Sequence, residues 1–599
     1  MAMDGKDGLS VGAEAFLGVE RSLTGRRWQS KPIDDRLAQA ISQRLEVPDV
    51  VARAMVARGV DLDGAQSFLN PTLRELLPDP FHLRDIRKAA ERLADAIAGG
   101  KAIGIFGDYD VDGATSSALL SRFLGAAGAE VLVHIPDRMT EGYGPNAPAL
   151  LELQAKGAGV VVTVDCGITA FEALDAAASA GLDVIVVDHH AAEAGLPPAF
   201  AVVNPNRLDE TSPHGHLAAV GVTFLLVVAL HKVLRERGWF GAGRTAPDLL
   251  QWLDIVALGT ICDVVPLVGV NRALAAQGLK VMARRTNPGI AALADVAGVK
   301  ERLDAYHVGY ILGPRVNAGG RVGQADLGVR LLSTADAGEA AHLAQLLDGY
   351  NKDRQEIEAA VLLAAIEQVE SREADGPLIV AAGEDWHPGV IGIIAGRLKE
   401  RYNRPACVIA IDGPEGKGSG RSVPGLDLGA AIIAARQAGL LTRGGGHAMA
   451  AGFSVPTERI EELRRFLGER LTAQMTGPLR PVLELDGGLD AGGATLDLVE
   501  TLRRLGPFGS GNAEPRFAIM GARIVAPRIV GMGHVACQVS GRGGGRLKAI
   551  AFRAADSELG HALLANDGTP LHLAGTLRID NWQGNTNVQL FIEDAASLL

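Results

Sequence analysis

Four short segments concentrate carboxylates and imidazoles. They are Gly107-Asp108-Tyr109-Asp110-Val111-Asp112-Gly113, Asp165-Cys166-Gly167, Asp188-His189-His190, and the stretch from Ala257 to Asp263. The first three each follow a short apolar run. In an open α/β sheet, ligands bind beyond the carboxyl ends of the strands. Carboxylates gathered at one rim repel one another and raise each other's pKa values, so such a cluster calls for cations among it. Asp and His without thiolates suit Mn²⁺ or Mg²⁺, and the imidazoles tilt the choice toward Mn²⁺. Any one of these acids also reads as a turn or helix cap. Three such strand ends, with a fourth segment downstream, are what point to metal.

The elements that must position these groups alternate. Ala102-Phe106, Val131-Ile135, Val160-Val164, Val184-Val187 and Ala201-Val203 read as strands. Helices are expected over Ala114 to Ala126, Ala147-Ala155 and Ala170-Ala180, which indicates a parallel sheet covered on both faces. An amphipathic helix over Asp85 to Ala98 precedes them, and residues 34–69 show helical spacing. Leu217 to Val281 turns helical. Residues 336–373 read as one long connecting helix, or two broken near Gly349. A second α/β pattern runs from about Leu378 to Leu471. Five β runs follow, from Phe517-Val525 to Thr586-Ile592, as in an OB-fold barrel. The fold class is therefore α/β, with a smaller α/β domain and a C-terminal β-barrel. The expected boundaries are 1–75 (a tail over 1–30, then a helical segment), 76–335, 336–373, 374–475 and 476–599.

Composition narrows the class further. The 599 residues are 47% apolar and 21% charged, with net charge −12. This is ordinary globular usage. It excludes a collagenous or disulfide-scaffold protein and argues against a blanket binder of nucleic acid, while leaving room for a local basic groove. The longest apolar run, Val222 to Leu230, is too short to span a bilayer. Cys166, Cys262, Cys407 and Cys537 form no CxxC pair, and Met1 to Ser10 lacks an apolar signal core. A reduced, cytoplasmic setting is expected.

The order of these motifs resembles the DHH phosphoesterase superfamily and, within it, the RecJ family of single-strand-specific 5′→3′ exonucleases. GDYDVDG at 107–113, VDCG at 164–167, DHH at 188–190 and ALGTICDVVPL at 257–267 match four successive motifs, and GPRVNAGGR at 313–321 matches the next. WHPGVIGI at 386–393, GSGRS at 418–422 and GGGHAMAAGF at 444–453 resemble the DHHA1-type second domain. LGPFGSGNAEPRF at 505–517 resembles the entry to an OB-fold. Position by position, the resemblance implies metal ligands at Asp108 or Asp110, Asp112, Asp165, His189 and Asp263. Asp165 would bridge two ions, and His190 would face the substrate phosphate. Some relatives carry histidine where this chain has Phe106, which leaves the first metal a ligand short.

The implied chemistry is two-metal hydrolysis of single-stranded DNA to 5′-mononucleotides, with Mn²⁺ or Mg²⁺ as cofactor, in repair and recombination. Two ions about 3.5–4 Å apart can activate a water and stabilise both oxygens of an in-line displacement. Arg315, Asn317 and Arg321, in a segment that reads as a loop, would hold phosphate. Ser419 and Arg421, with His387 and His447, would form the opposite wall from glycine-rich turns. Trp386 reads equally as a base-stacking or a core residue. In the last domain Arg516, Arg523, Arg528, Arg542, Arg546 and Lys548, with Phe517 and Trp582, would form a basic stacking groove. A helicase and a single-strand-binding protein are implied partners. Two alternatives stand beside this reading: an oligonucleotidase or cyclic-dinucleotide phosphodiesterase, and a non-catalytic scaffold.

Overall fold

The computed structural model describes residues 14–138, 140–241, 243–371, 376–541, 543–582 and 585–598. The chain forms two compact units. One comprises residues 71–476 with 507–512; the other joins the N-terminal segment through residue 70 to residues 477–506 and 513–599.

The larger unit opens with five parallel strands: β1 (Ala102–Gly107), β2 (Val131–His134), β3 (Ala158–Val164), β4 (Val184–Val187) and β5 (Ala201–Val203). Their order is β2-β1-β3-β4-β5. β1 and β4 are buried at every position, as expected of Val/Ile-rich strands covered on both faces. The order reverses at β1, which lies between β2 and β3. Such a switch point opens a crevice at the carboxyl ends. Helix α1 (Val111–Ala126) follows β1 directly. It starts three residues earlier than its apolar spacing predicts, because the Asp110 carboxylate accepts the N–H groups of Asp112 at 2.9 Å and Gly113 at 3.1 Å. Helices α2 (Ala219–Glu236) and α3 (Leu253–Cys262) pack on the same core.

GPRVNAGGR is not a loop. It lies within helix α4 (Gly313–Val322), entered through a π-helical turn, His307–Leu312. Its glycines serve close packing: a Cβ on Gly320 would lie 2.4 Å from the Tyr109 carbonyl oxygen, and one on Gly313 would lie 2.5 Å from the Cys262 sulfur. Helix α5 (Ala337–Glu370) runs unbroken for 34 residues. Leu343 and Leu347 join the first core, and Val361, Ala365 and Val369 join the second. One helix thus serves both sheets.

The second sheet contains β6 (Ile379–Glu384), β7 (Ala406–Asp412), β8 (Glu415–Arg421), β9 (Arg443–His447) and β10 (Ala450–Pro456), in the order β9-β10-β8-β7-β6. The glycine-rich segments expected as turns are strands here. Glycine at 418 leaves room for the Phe453 ring, which would meet a Cβ at 2.2 Å.

In the smaller unit, β11 (Arg516–Val530), β12 (His534–Ser540), β13 (Arg546–Ala551), β14 (Leu571–Trp582) and β15 (Asn585–Ser597) form a sheet in the order β11-β12-β13-β15-β14. A further β11–β14 pairing closes it into a barrel. Residues 14–30 are not a tail: Arg27–Ser30 pairs in parallel with Val482–Leu485. Fully buried Trp28 donates its indole N–H to the Asp594 carboxylate at 2.9 Å.

Candidate metal centre and phosphate cleft

β1, β3 and β4 deliver their acids and imidazoles to one rim. Asp108 (4% exposed), Asp112 (1%) and Asp165 (2%) are buried. Gly113 is required beside them, since a Cβ there would meet the Asp108 backbone at 2.4 Å. Asp165 adopts a left-handed backbone, φ 61°. Strain of this kind in a non-glycine residue concentrates at functional sites.

The side chains converge as three groups of possible ligands, each with its atoms within 4.8 Å of one another: Asp108, Asp110 and Asp165; Asp112, His189 and Asp263; and Asp165, His189 and His190. Asp165 and His189 each occur twice. The His189 Nδ1 is engaged by the Leu217 carbonyl at 3.1 Å. Its Nε2 faces Asp165 at 3.3 Å, Asp263 at 3.8 Å and Asp112 at 3.9 Å. Burial, then the neighbouring His190, lowers the His189 pKa to about 4. The ring is therefore neutral, with the Nε2 lone pair turned to the acids, as a metal ligand requires.

Electrostatics give the same account of the acids. Burial, reinforced by neighbouring carboxylates, pushes Asp112 up to about 7 and Asp263 up to about 9, and raises Asp108 and Asp165 well above the carboxylate range. Among the described residues, Asp108 Oδ1, Asp165 Oδ1 and Asp263 Oδ2 are buried without a hydrogen-bond partner. Unpartnered buried carboxylate oxygens are costly unless a cation takes them. The donor set, carboxylates with one neutral imidazole, fits Mn²⁺ or Mg²⁺. Phe106 is fully buried and stacks on His134, with centroids 5.2 Å apart and planes at 27°. The Asp108–Asp110–Asp165 group is accordingly all oxygen.

Asp188, not singled out as a site residue from the sequence, orients the motif. Its carboxylate accepts the N–H groups of Ile168, His189 and His190, and lies 2.8 Å from the His190 Nδ1. Burial works against a charged His190, but the Asp188 contact outweighs it and raises the imidazole's pKa. Tyr143 was also missed. Its hydroxyl donates to the Asp165 carbonyl at 3.2 Å and lies 3.4 Å from the His190 Nδ1. The signal for Asp188 was its place in the motif; nothing local marked Tyr143.

Beside the acids lies a cavity of about 560 Å³ lined by Tyr109, Arg138, Tyr143, Arg321, Ser419 and Arg421, among others. Arg321 comes from α4 and donates to the Gly389 carbonyl at 2.8 Å. Burial, with Arg138 nearby, lowers its pKa to about 10, so it stays charged. Arg421 lies 3.2 Å from the Ser419 hydroxyl. Three guanidinium groups in one cleft suit an anion.

The remaining anticipated residues surround the site without lining this cavity. Arg315 is engaged by Asp348 of α5 at 2.9 Å and by the Ile311 carbonyl at 2.6 Å. Asn317 accepts the Val111 N–H at 3.2 Å and so steadies the first acidic turn. His387 accepts the Gly389 N–H at 3.0 Å. His447 is exposed at the end of β9. None of these four is among the described residues lining the cavity. Trp386 covers Gly383, where a Cβ would lie 2.3 Å from its ring, and packs on the second core. In the barrel, Phe517 is fully buried core rather than groove. Among the described residues, Phe552 is the exposed barrel ring, 52% accessible and edge-on to both His534 and Phe591. Arg542 and the Trp582 side chain lie outside the described residues.

This parallel sheet, with its acids and paired histidines at the switch point, defines a metal-dependent phosphoesterase of the DHH class. Family models agree: the DHH family N-terminal domain matches residues 102–260, the DHHA1 domain 375–473 and the RecJ OB domain 485–594. The single-stranded-DNA-specific exonuclease RecJ of Dickeya dadantii is 40% identical over 566 residues, covering 91% of this chain and 96% of that protein. Crystal structures of RecJ from Thermus thermophilus in complex with Mn²⁺ and with Mg²⁺ superpose with TM-scores of 0.79 and 0.74. They are 32% and 31% identical, and each comparison covers 95% of this chain and 78% of the other. The chain belongs to the RecJ family of single-stranded-DNA-specific exonucleases.

Proposed function

We propose that this chain hydrolyses single-stranded DNA stepwise from the 5′ end, using two Mn²⁺ or Mg²⁺ ions held by Asp108, Asp110, Asp112, Asp165, His189 and Asp263. The observation that carries this reading is the convergence of three ligand groups, two of them sharing Asp165, beside a guanidinium-lined cleft. Such ions supply an activated water and neutralise charge at the phosphate.

The chain's own residues do the rest. His189 stays neutral and offers Nε2. Asp188 fixes His190 through Nδ1, leaving Nε2 to donate to a non-bridging phosphate oxygen as negative charge builds there. Arg321, Arg421 and Ser419 hold the terminal 5′-phosphate, which sets polarity by placing the next phosphodiester over the acids. The bond from that phosphorus to the O3′ of the terminal nucleotide breaks. A 5′-mononucleotide leaves, and the shortened strand keeps a 5′-phosphate.

A cytoplasmic setting and work alongside a helicase and a single-strand-binding protein complete the proposal. In its support, no helix among the described residues is long and apolar enough to cross a membrane, and the enzyme class needs unwound strands. Matched oligonucleotides bearing 5′-phosphate or 5′-hydroxyl test the cleft assignment. Arg321→Ala should raise KM about tenfold or more for the phosphorylated strand and erase the preference for it. An unchanged preference would remove Arg321 from the phosphate site.

A further inference from the structure

Tyr306 and Tyr310 are the strongest unexplained feature of the surface. They are 53% and 75% exposed, and their rings stack on each other, with centroids 5.3 Å apart and planes at 30°. The chain has six tyrosines and 26 aromatic residues in all, so two rings stacked in solvent need a reason. The nearby acids are already occupied: the His307 ring nitrogens lie 2.6 Å from Asp304 and 3.3 Å from Glu301.

Their place along the fold supplies the reason. The π-helical turn His307–Leu312 runs straight into α4. It packs behind the last ligand-bearing helix: the Cys262 thiol lies 3.5 Å from the Val308 carbonyl, and Gly313 abuts the same sulfur. Cys262 immediately precedes Asp263. Further along α4, Asn317 touches Val111, Gly320 abuts Tyr109, and Arg321 enters the cleft. This element therefore runs past the residues that flank Asp263 and the first acidic turn, with Arg321 near one end and the tyrosine pair near the other. Tyr310 and Arg321 are eleven positions apart along this helix, about 16 Å at 1.5 Å per residue. That distance is roughly five nucleotides of a stacked strand, at ~3.4 Å each, and fewer of an extended one.

We infer that Tyr306 and Tyr310 form a stacking platform for bases of the substrate strand on the 3′ side of the scissile phosphate. This rests on the nuclease reading above. A strand anchored by its 5′-phosphate at Arg321 and crossing the acids continues toward these rings. Stacking suits any base, since every base offers a π-face, so the platform would grip a strand regardless of sequence. It would also favour strands long enough to reach it.

The test compares a 5′-phosphorylated dinucleotide with a 5′-phosphorylated 20-mer. The ratio of kcat/KM for the 20-mer to that for the dinucleotide should fall roughly five- to hundredfold in Tyr306→Leu/Tyr310→Leu, with the loss in KM. Tyr306→Phe/Tyr310→Phe, which keeps the rings, should restore it. A merely structural role would lower both substrates together and leave the ratio unchanged, which overturns the proposal. Photocrosslinking provides a readout independent of turnover. With 5-iododeoxyuridine placed singly at the second to sixth nucleotides of a strand bound to Asp165→Ala, the crosslink should map to Tyr306 or Tyr310; crosslinks confined to other residues would refute it. If the wild type degrades neither substrate, the nuclease reading falls, and crosslinking alone decides the platform.

Discussion

Metal ions should stabilise this protein increasingly as pH rises. Without metal, Asp112 titrates near 7 and Asp263 near 9 in the folded chain, against 3.8 for an unperturbed aspartate. Both are raised, so folding favours their protonated forms. Their contribution is complete below about pH 4 and is lost as pH climbs through 7 and then 9. One pKa unit corresponds to about 1.4 kcal/mol, so the raised acids of this cluster together account for a loss on the order of several kcal/mol between pH 4 and pH 8. Cations held by the carboxylates reverse this loss, because they bind the ionised form. Thermal unfolding followed from pH 5 to 9, in EDTA and in Mn²⁺, reads the effect without reference to catalysis. The gap in Tm should widen by several degrees across that range. In Asp165→Asn it should be smaller, and the metal-free protein should be more stable than wild type above pH 7. A gap independent of pH, or a metal-free Asp165→Asn protein less stable than wild type, would refute the view that repulsion among buried acids is what the metals relieve.

Further substitutions probe the rest. Gly320→Ala drives a methyl into the Tyr109 carbonyl. It should cost about 1–3 kcal/mol in denaturant melts and lower activity by displacing the acidic turn. Arg315→Ala should lower stability by about 1–2 kcal/mol, since Asp348 loses one partner but keeps Lys352 at 2.8 Å, yet leave the 5′-phosphate preference in place. Selective loss of the preference with normal stability would reverse that assignment. Trp28→Phe leaves the fully buried Asp594 without its indole donor. It should destabilise the barrel unit by about 1–3 kcal/mol in calorimetry, which a genuine tail residue could not do. Phe552→Ala should weaken single-strand binding measured by fluorescence anisotropy with Tm nearly unchanged, whereas Phe517→Ala should cost about 3–5 kcal/mol of stability.

Much of the site was legible because its signals are local. Short Val/Ile runs ending in Asp or Asp-His-His mark strand ends at a rim, and the acids' mutual repulsion follows from their types alone. The misread parts depend on contacts that sequence does not display. The glycines of 313–321 look like loop residues, yet Gly313 and Gly320 let a helix lie directly against Cys262 and Tyr109. Arg315 and Arg321 are chemically alike, and only the neighbouring Asp348 separates a helix tie from a cleft residue. Phe517 and Phe552 differ in burial alone. Residues 27–30 form a strand because of a partner more than 450 positions away, which no local pattern announces. Asp188 was visible as a letter of its motif, but its role as the acceptor that holds both histidines appears only in three dimensions.

The most direct measurement is degradation of a long single strand labelled at either end, in Mn²⁺, Mg²⁺ or EDTA, with wild type beside Asp165→Ala. The account predicts stepwise loss from the 5′ end that stops in EDTA and falls by several orders of magnitude in Asp165→Ala. Loss from the 3′ end, turnover confined to very short oligomers, or activity that survives EDTA or the loss of Asp165 would contradict it.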